Sequence, residues 1–253
     1  MNLYSKTQNP ISLKIAYCML AIANLLFVNS CNSQTNPTNG KTTAIFNTSK
    51  TYETMTDQDG NVYKTITIGN QTWMAENLRT TKYRNGDLIP EVIDNLDWDA
   101  INIGACCTYK NTKSCDTIAT YGRYYNWFAV SDSRNIAPLG WHVPTDAECQ
   151  ILANYLSGEG TAGGKMKENS TSHWQSPNQG ATNESGFTAI PSGDRVSYDG
   201  TFMEFGFSSY FWTSTSFDAY NSWYRYMDCT YSAFTHMADV ALQFGLTIRL
   251  VKD

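Results

Sequence analysis

Residues 141–158 read Trp141-His142-Val143-Pro144-Thr145-Asp146-Ala147-Glu148-Cys149-Gln150-Ile151-Leu152-Ala153-Asn154-Tyr155-Leu156-Ser157-Gly158. Thr145 stands where a helix N-cap belongs, and Glu148, three residues on, completes a capping box. Ala147, Ile151, Leu152 and Tyr155 recur on one face at helical spacing. Pro144 fixes the entry, and Gly158 supplies the stop. The spacing predicts a helix over residues 146–157, the clearest in the chain, led by a short apolar stretch that reads as strand.

Outward from this helix the pattern changes to short strands and turns. Residues 186–190, 210–214, 222–227 and 245–251 are the strand candidates, with Ser192-Gly193-Asp194 and Asp199-Gly200 as loop signals. A second short helix is expected near residues 164–169. Upstream, Val62, Ile66 and Ile68 share one strand face, Gly69-Asn70 makes a two-residue turn, and Gln71-Thr72-Trp73-Met74 starts the return, so a β-hairpin opens the domain. Lys64 interrupts the apolar face, which predicts a place near a sheet edge. No internal repeat occurs. The sum is an α+β domain of mostly short antiparallel strands, one or two helices and long loops.

The remaining N-terminal sequence carries different signals. Residues 1–14 hold Lys6 and Lys14 and no acid, and residues 15–28 form an apolar run of fourteen. A bilayer span needs about 20 residues, so the run matches the core of a signal peptide. Val28-Asn29-Ser30-Cys31 is similar to a lipobox, which makes Cys31 the expected lipidation site and residues 1–30 the expected lipoprotein signal peptide. Residues 31–56, rich in Asn, Thr and Ser, read as a flexible polar tether. Residues 57–253 then form one globular domain. The expected membrane partner is the bilayer, through the N-terminal lipid, and the expected location is the cell envelope, on the outer membrane.

Composition narrows the function classes. Charged residues are only 16% and the net charge is −5, with no basic run to track phosphates, so nucleic acid is not expected as a partner. Aromatics reach 13%, which with many Asn, Ser and Thr fits a β-rich exported domain.

Specific strings carry a resemblance. Asp59-Gly60-Asn61-Val62-Tyr63, Trp73-Met74-Ala75-Glu76-Asn77-Leu78, Tyr121-Gly122-Arg123-Tyr124-Tyr125-Asn126-Trp127, Gly140-Trp141-His142-Val143-Pro144-Thr145, Asn183-Glu184-Ser185-Gly186-Phe187 and Ile248-Arg249-Leu250-Val251-Lys252-Asp253 occur in order. Together they resemble the Fibrobacter succinogenes major paralogous (FISUMP) domain, over about residues 57–253. That family implies an exported bacterial lipoprotein and no established activity. The family's usual Cys-Pro before Gly-Trp-His is Ala137-Pro138 here, and its Cys after the terminal Arg is Leu250. The paired absence implies that one family disulfide is missing. More distantly, residues 141–148 and the closing strand look like the formylglycine-generating-enzyme family, which implies a C-type-lectin-like fold. That family's oxidase chemistry uses a close cysteine pair near the C-terminus, where only Cys229 stands, so an enzyme of that kind is not expected.

Candidate chemistry is sparse. Cys106, Cys107, Cys115, Cys149 and Cys229 are an odd set, and a Cys107–Cys115 or Cys106–Cys115 disulfide would staple a short loop. Cys149 reads as a small core residue. Paired Cys-x-x-Cys motifs are absent, so zinc is not expected, and no motif marks a catalytic residue among His142, His173 and His236. Glu184, Asp194, Asp199 and Asp218 lie in turns. They could offer oxygens to calcium but lack a calcium-loop spacing, and read first as solvated turn residues. No cofactor is expected. The aromatic stock is the functional hint. Trp174, Trp212, Trp223 and Tyr224 lie among amide and hydroxyl side chains in the C-terminal half, as a sugar- or peptide-binding surface requires. Trp212 and Trp223 read first as core, and Trp174, within Ser172-His173-Trp174-Gln175-Ser176, as the exposed candidate. The expected function is a non-enzymatic envelope binding module for a glycan or a surface protein. The alternatives are a hydrolase of an envelope or extracellular polymer and a structural or adhesive component.

Overall fold

The computed structural model describes residues 40–253. The expected signal peptide, Cys31 and the first part of the expected tether lie outside the described residues. In chain order the strands are β1 (Glu53–Thr56), β2 (Val62–Ile68), β3 (Gln71–Met74), β4 (Cys106–Cys107), β5 (Tyr124–Tyr125), β6 (Trp141–His142), β7 (Asp194–Arg195), β8 (Phe202–Met203), β9 (Ser208–Ser216), β10 (Asn221–Asp228), β11 (Thr235–Ala241) and β12 (Val251–Lys252). The helices are α1 (Asn95–Ala100), α2 (Cys115–Tyr121), α3 (Trp127–Val130), α4 (Asp146–Tyr155) and α5 (Glu159–Met166). This is an α+β fold in which every strand pair is antiparallel.

Two sheets organise it. The first runs β1-β2-β3-β12-β6, so the last strand lies between the opening hairpin and the strand ahead of α4. The second runs β11-β10-β9. Period-two alternation places the core on both faces of the first sheet. Met74 and Leu250 join Tyr63, Trp141, Trp212 and Ile248 on one face, while Trp73 and Val251 join Leu152, Met166, Trp174 and Phe187 on the other. Helices α4 and α5 close that second face.

The capping box forms as the sequence predicts. Thr145 Oγ1 accepts from Glu148 N at 3.2 Å, and Glu148 Oε2 accepts from Thr145 N at 2.8 Å. The opening hairpin and the strands at 210–214 and 222–227 also form. Several expectations are corrected. The second helix begins earlier, at Glu159. Residues 186–190 make only an isolated bridge, Lys167 to Ala189, and of the closing segment only Val251–Lys252 is a strand. His236 lies in β11, not in a loop. β2 is interior because β1, inside the supposed tether, covers it. Lys64 remains half-buried there with its ammonium over the Phe46 and Tyr52 rings at 5.2 and 5.6 Å.

The domain therefore begins before Asp57. From Gly40 the chain runs against it as a strap, with Lys41 N donating to Asp116 Oδ1, Thr43 N to Thr120 Oγ1 and Ile45 N to Glu168 Oε1. Backbone donors that would be solvated in a flexible tether find side-chain acceptors instead.

Buried cations hold the long loops. Arg249 donates to Asn77 Oδ1, Met74 O, Phe187 O and Thr188 O at 2.6–3.1 Å, between the Phe187 and Phe211 rings. Arg195 donates to the carbonyls of Gly200, Val92, Ile93 and Asp94, with its guanidinium 4.4 Å from the Trp98 ring centre. Arg225 ties β10 to both helix starts through Asp146 at 2.7 Å and Glu159 at 2.8 Å. Lys167 donates to Gln179 O, Asp228 O and Tyr231 O at 2.8–3.0 Å, and burial pushes its ammonium down to about 8. A Cβ at Gly163 would come within 2.0 Å of Ala233 O, so only glycine lets α5 lie this close to the backbone at residues 232–233.

His142 joins three segments. Its Nε2 meets Glu148 Oε1 at 2.8 Å and its Nδ1 meets Asp253 Oδ1 at 2.6 Å. Burial lowers its pKa, but the bonds to Asp253 and Glu148 outweigh that and hold it above the ordinary histidine value. A pKa raised on folding contributes stability that is full below the unfolded value and is lost as pH rises through the folded one. His142→Gln should thus narrow the difference in urea midpoint between pH 5.5 and pH 8.5. An unchanged difference would refute the clamp.

Candidate functional site

The sequence-predicted aromatic residues do not gather into one surface. Trp174 is 1% exposed, its Nε1 donating to Ala189 O at 2.9 Å and its ring lying 5.4 Å from the Lys167 ammonium. Its polar neighbours face solvent while the indole fills the core, so the expectation that Trp174 is exposed is corrected. Trp212 is fully buried, donating to Tyr125 O, and Tyr224 is 4% exposed with its hydroxyl on Asp239. Trp223 alone is half-exposed. It stacks on His236 at 5.0 Å and takes the edge of Phe217 at 5.2 Å, at the tip of the β9–β10 hairpin beside exposed Tyr220.

The expected Cys107–Cys115 disulfide is not formed. Cys107 is a buried thiol on β4, pushed up to about 12 by burial. Cys149 is buried in the core on α4, and burial pushes it up to about 12 as well. Of the turn carboxylates, Asp199 accepts from Thr201, Asp218 from Tyr220 and Asn221, and Glu184 pairs with Lys165. Asp199 and Asp218 do the work of turn acceptors, and Glu184 that of a surface ion-pair partner. Among the described residues no three His, Cys, Asp or Glu side chains are placed to hold a metal ion.

A different aromatic surface does assemble. The turn after β8 carries Glu204 at φ +53° and Gly206 at φ +83°, two left-handed residues that push Phe205 outward between them. Phe205 stacks on Tyr109 with ring centres 3.8 Å apart and 15° between planes. Tyr121 leans on Phe205 at 4.5 Å, and Phe202 meets Tyr109 edge-on at 5.7 Å. Lys110, Gln175 and Glu204 add polar groups, and with Tyr109, Phe202, Phe205 and Phe207 they line an open groove of about 500 Å³. The loop holding Gln175 is fixed by its backbone N–H to Gly206 O at 2.8 Å. A smaller hollow of about 190 Å³ lies beside Asp59, Arg79 and Arg123, but its charges are committed. Asp59 is bound by Thr81 and Lys82, and Arg123 by Glu91.

Tyr121 also meets His173 edge-on at 5.8 Å, which brings the strap to the groove's rim. His173 Nδ1 lies 2.7 Å from Glu168 Oε2, and its Nε2 lies 2.9 Å from Thr43 Oγ1. Hydroxyl, imidazole and carboxylate stand in the order of a nucleophile relay. Here every member is engaged in docking, because Glu168 Oε1 takes Ile45 N and Thr43 Oγ1 also meets Thr120 Oγ1. The relay is a latch for the strap. His173→Ala is expected to expose the chain after Lys41 and Lys50 to trypsin at least several-fold faster under native conditions, with the urea midpoint little changed. Equal digestion rates would remove the latch.

Behind Glu204 lies a second cluster. Tyr210 donates to Glu204 Oε2 at 2.6 Å and packs on Tyr226 at 5.0 Å, and Tyr226 donates to Asp228 Oδ2 at 2.9 Å. Asp194 faces Met203 in the β7–β8 pair, one residue from Glu204. It is 6% exposed, and burial together with the Glu204 charge pushes its carboxyl up to about 7.

The architecture is an α+β domain of short antiparallel strands, and the groove is a shallow aromatic surface on it. The chain belongs to the Fibrobacter succinogenes major domain family, whose model matches residues 66–252. No curated protein and no solved structure matches it.

The groove residues come from three separated segments, 109–110, 175 and 202–207. The signal that could have found them is Phe202, Phe205 and Phe207, three phenylalanines within six residues that follow a turn and do not alternate as a core strand would.

Proposed function

We propose that this chain is an exported cell-envelope lipoprotein, anchored through Cys31 on the outer membrane, whose domain is a non-enzymatic binding module for glycans. The carrying observation is the stacked Tyr109–Phe205 pair in an open groove edged by Gln175, Glu204 and Lys110. Aromatic faces accept the apolar face of a sugar ring, while amide, carboxylate and ammonium groups at the edge take its hydroxyls. The domain is read as C-type-lectin-like. Support comes from the closing strand lying in the same sheet as the opening hairpin, with long loops between. The strap supports a module held close to its anchor, because the chain is already docked at Lys41, beside Asp116, well ahead of residue 57.

The exposed Phe217 and Tyr220 and the half-exposed Trp223 at the hairpin tip favour a second reading, a surface-protein ligand, since large exposed rings at a loop tip suit protein contact. A glycan-array screen of residues 32–253, with and without calcium, tests the first reading. Reproducible binding that is lost in Phe205→Ala supports it. Binding that survives Phe205→Ala and is lost in Trp223→Ala moves the site to the hairpin tip. An array without binders removes the glycan reading.

A further inference from the structure

We infer that the hollow between α2 and the β1–β2 turn is a binding site for an acetamido group, the N-acetyl amide that acetylated amino sugars and N-acetylated peptides share. The inference does not depend on the glycan reading of the groove, whose lining residues are different ones.

The argument begins with hydrogen bonds left over. The hollow holds about 190 Å³, with Asp59, Val62, Arg79, Ile118, Ala119 and Arg123 among its walls. Its ion pairs are committed, but its N–H groups are not all spent. Arg123 is 8% exposed and uses Nη1 on Glu91 at 2.9 Å, while its buried Nε has no hydrogen-bond partner. Arg79 uses Nη2 on Val62 O at 3.0 Å. Its buried Nη1 has no hydrogen-bond partner either, and the Glu76 carboxylate stands 4.0 Å from it. Buried polar groups are almost always satisfied. Two guanidinium groups beside one hollow, each with an N–H unspent, ask for an acceptor oxygen there.

Charge decides what carries that oxygen. Asp59 lines the same hollow. Burial works against its charge, but the bonds from Thr81 and Lys82 outweigh that and hold its carboxyl below the ordinary range, so it is ionised at neutral pH. Glu91 and Glu76 already face the two guanidinium groups. An anion would lose to these three carboxylates what it gained from the two arginines, whereas a neutral carbonyl accepts the N–H groups without that repulsion. Asp59 Oδ1 meets the Lys82 ammonium at 3.1 Å, and a carboxylate oxygen has room for a second donor. A neutral group that offers both a carbonyl oxygen and an N–H is an amide. Val62, Ile118 and Ala119 add apolar wall, which suits a methyl group. A cavity of about 150 Å³ holds benzene, so an acetamido group, which is smaller, has room.

The test follows the Ile118 methyl signal by NMR in residues 32–253 at pH 7, titrated with N-methylacetamide, N,N-dimethylacetamide and acetate. N-methylacetamide is expected to bind at least five-fold more tightly than the dimethyl amide, which has no N–H, and than acetate, which is charged. Ala119→Leu fills the hollow and is expected to abolish binding, with a urea midpoint no lower than that of the parent chain. Arg79→Lys is the second variant. It keeps the charge but cannot place an N–H where Nη1 stands, so N-methylacetamide should bind at least three-fold more weakly. Phe205→Ala, in the groove, is expected to leave this binding unchanged. Methyl N-acetylglucosaminide and N-acetylglycine methylamide distinguish the two sources, and the one that binds more tightly than N-methylacetamide names the ligand. Equal affinities for the three small probes, or acetate binding tightest, would overturn the amide site. A signal that never shifts would mean a hollow filled by water only, and would overturn it equally. Binding that is lost in Phe205→Ala, or rejection of both larger amides, would do the same.

Discussion

Arg249→Met is expected to cost the domain about 4 kcal/mol or more, leaving little of the ~5–15 kcal/mol that a domain of this kind has. The guanidinium is 2% exposed and serves four acceptors, three of them backbone carbonyls at 2.8–3.1 Å. Methionine fills much of the volume but donates nothing. Each orphaned buried acceptor costs about 1–3 kcal/mol. Arg249→Lys keeps the charge and loses the planar fork, so it should fall between the two, because one ammonium cannot span Asn77, Met74, Phe187 and Thr188 together. Burial itself weighs against the charged form and pushes Arg249 down to about 9. The carbonyl set and the flanking Phe187 and Phe211 rings are what offset that cost. Urea unfolding of the three chains at pH 7 reads the order directly. A midpoint for Arg249→Met close to that of the parent chain would mean that the loops at 187–188 and 74–77 stand without their cation.

Phe205→Ala is expected to weaken glycan binding at least ten-fold while leaving the fold intact. Phe205 is half-buried at a turn tip, so truncation leaves no sealed cavity, and the cost to stability should stay near 1 kcal/mol. The loss to binding is larger because the ring is one of the stacked pair and also carries Tyr121. Stacking on an aromatic face contributes about 0.5–1.5 kcal/mol beyond area, and collapse of Tyr109 into the vacated space removes a second ring from the ligand. Tyr109→Ala should have a comparable effect, and the double variant should lose less than the sum, since the two rings act as one surface. Glu204→Gly separates backbone from chemistry at this turn. Glycine adopts φ +53° without strain, so stability should hold while the polar edge of the groove is lost. Titration calorimetry of each variant against the array ligands checks these outcomes.

What the sequence disclosed follows from where physical constraints are local. The capping box at Thr145 and Glu148 is a three-residue motif, and it forms as read. The hairpin through Gly69-Asn70 needs only a turn and a period of two. The strap over residues 40–56 is hard to see because its apolar residues, Phe46, Tyr52 and Met55, follow no regular period among Asn, Thr and Ser. Its docking depends on Asp116, Thr120 and Glu168, acceptors from 75 to 123 residues away. The same distance problem hid the loop staples, since nothing near Arg195, Arg225 or Arg249 announces that carbonyls from elsewhere will surround it. Trp174 was misread because polarity of neighbours was taken for exposure. In an irregular segment each side chain turns independently, and the indole found Ala189 O. The groove escaped because Tyr109 and Phe205, 96 positions apart in sequence, meet only through the turn after β8 and the 3-10 turn at Tyr109–Asn111. The family membership was legible in ordered strings, several of which are the turn, core and capping positions around the first sheet.

Hydrogen–deuterium exchange of residues 32–253, with and without a saturating glycan that binds on the array, tests the groove most directly. The groove reading predicts slowed exchange confined to the backbone around residues 109–111, 175–176 and 202–207. Slowed exchange around residues 217–223 with the groove unchanged, or no change anywhere, would contradict it.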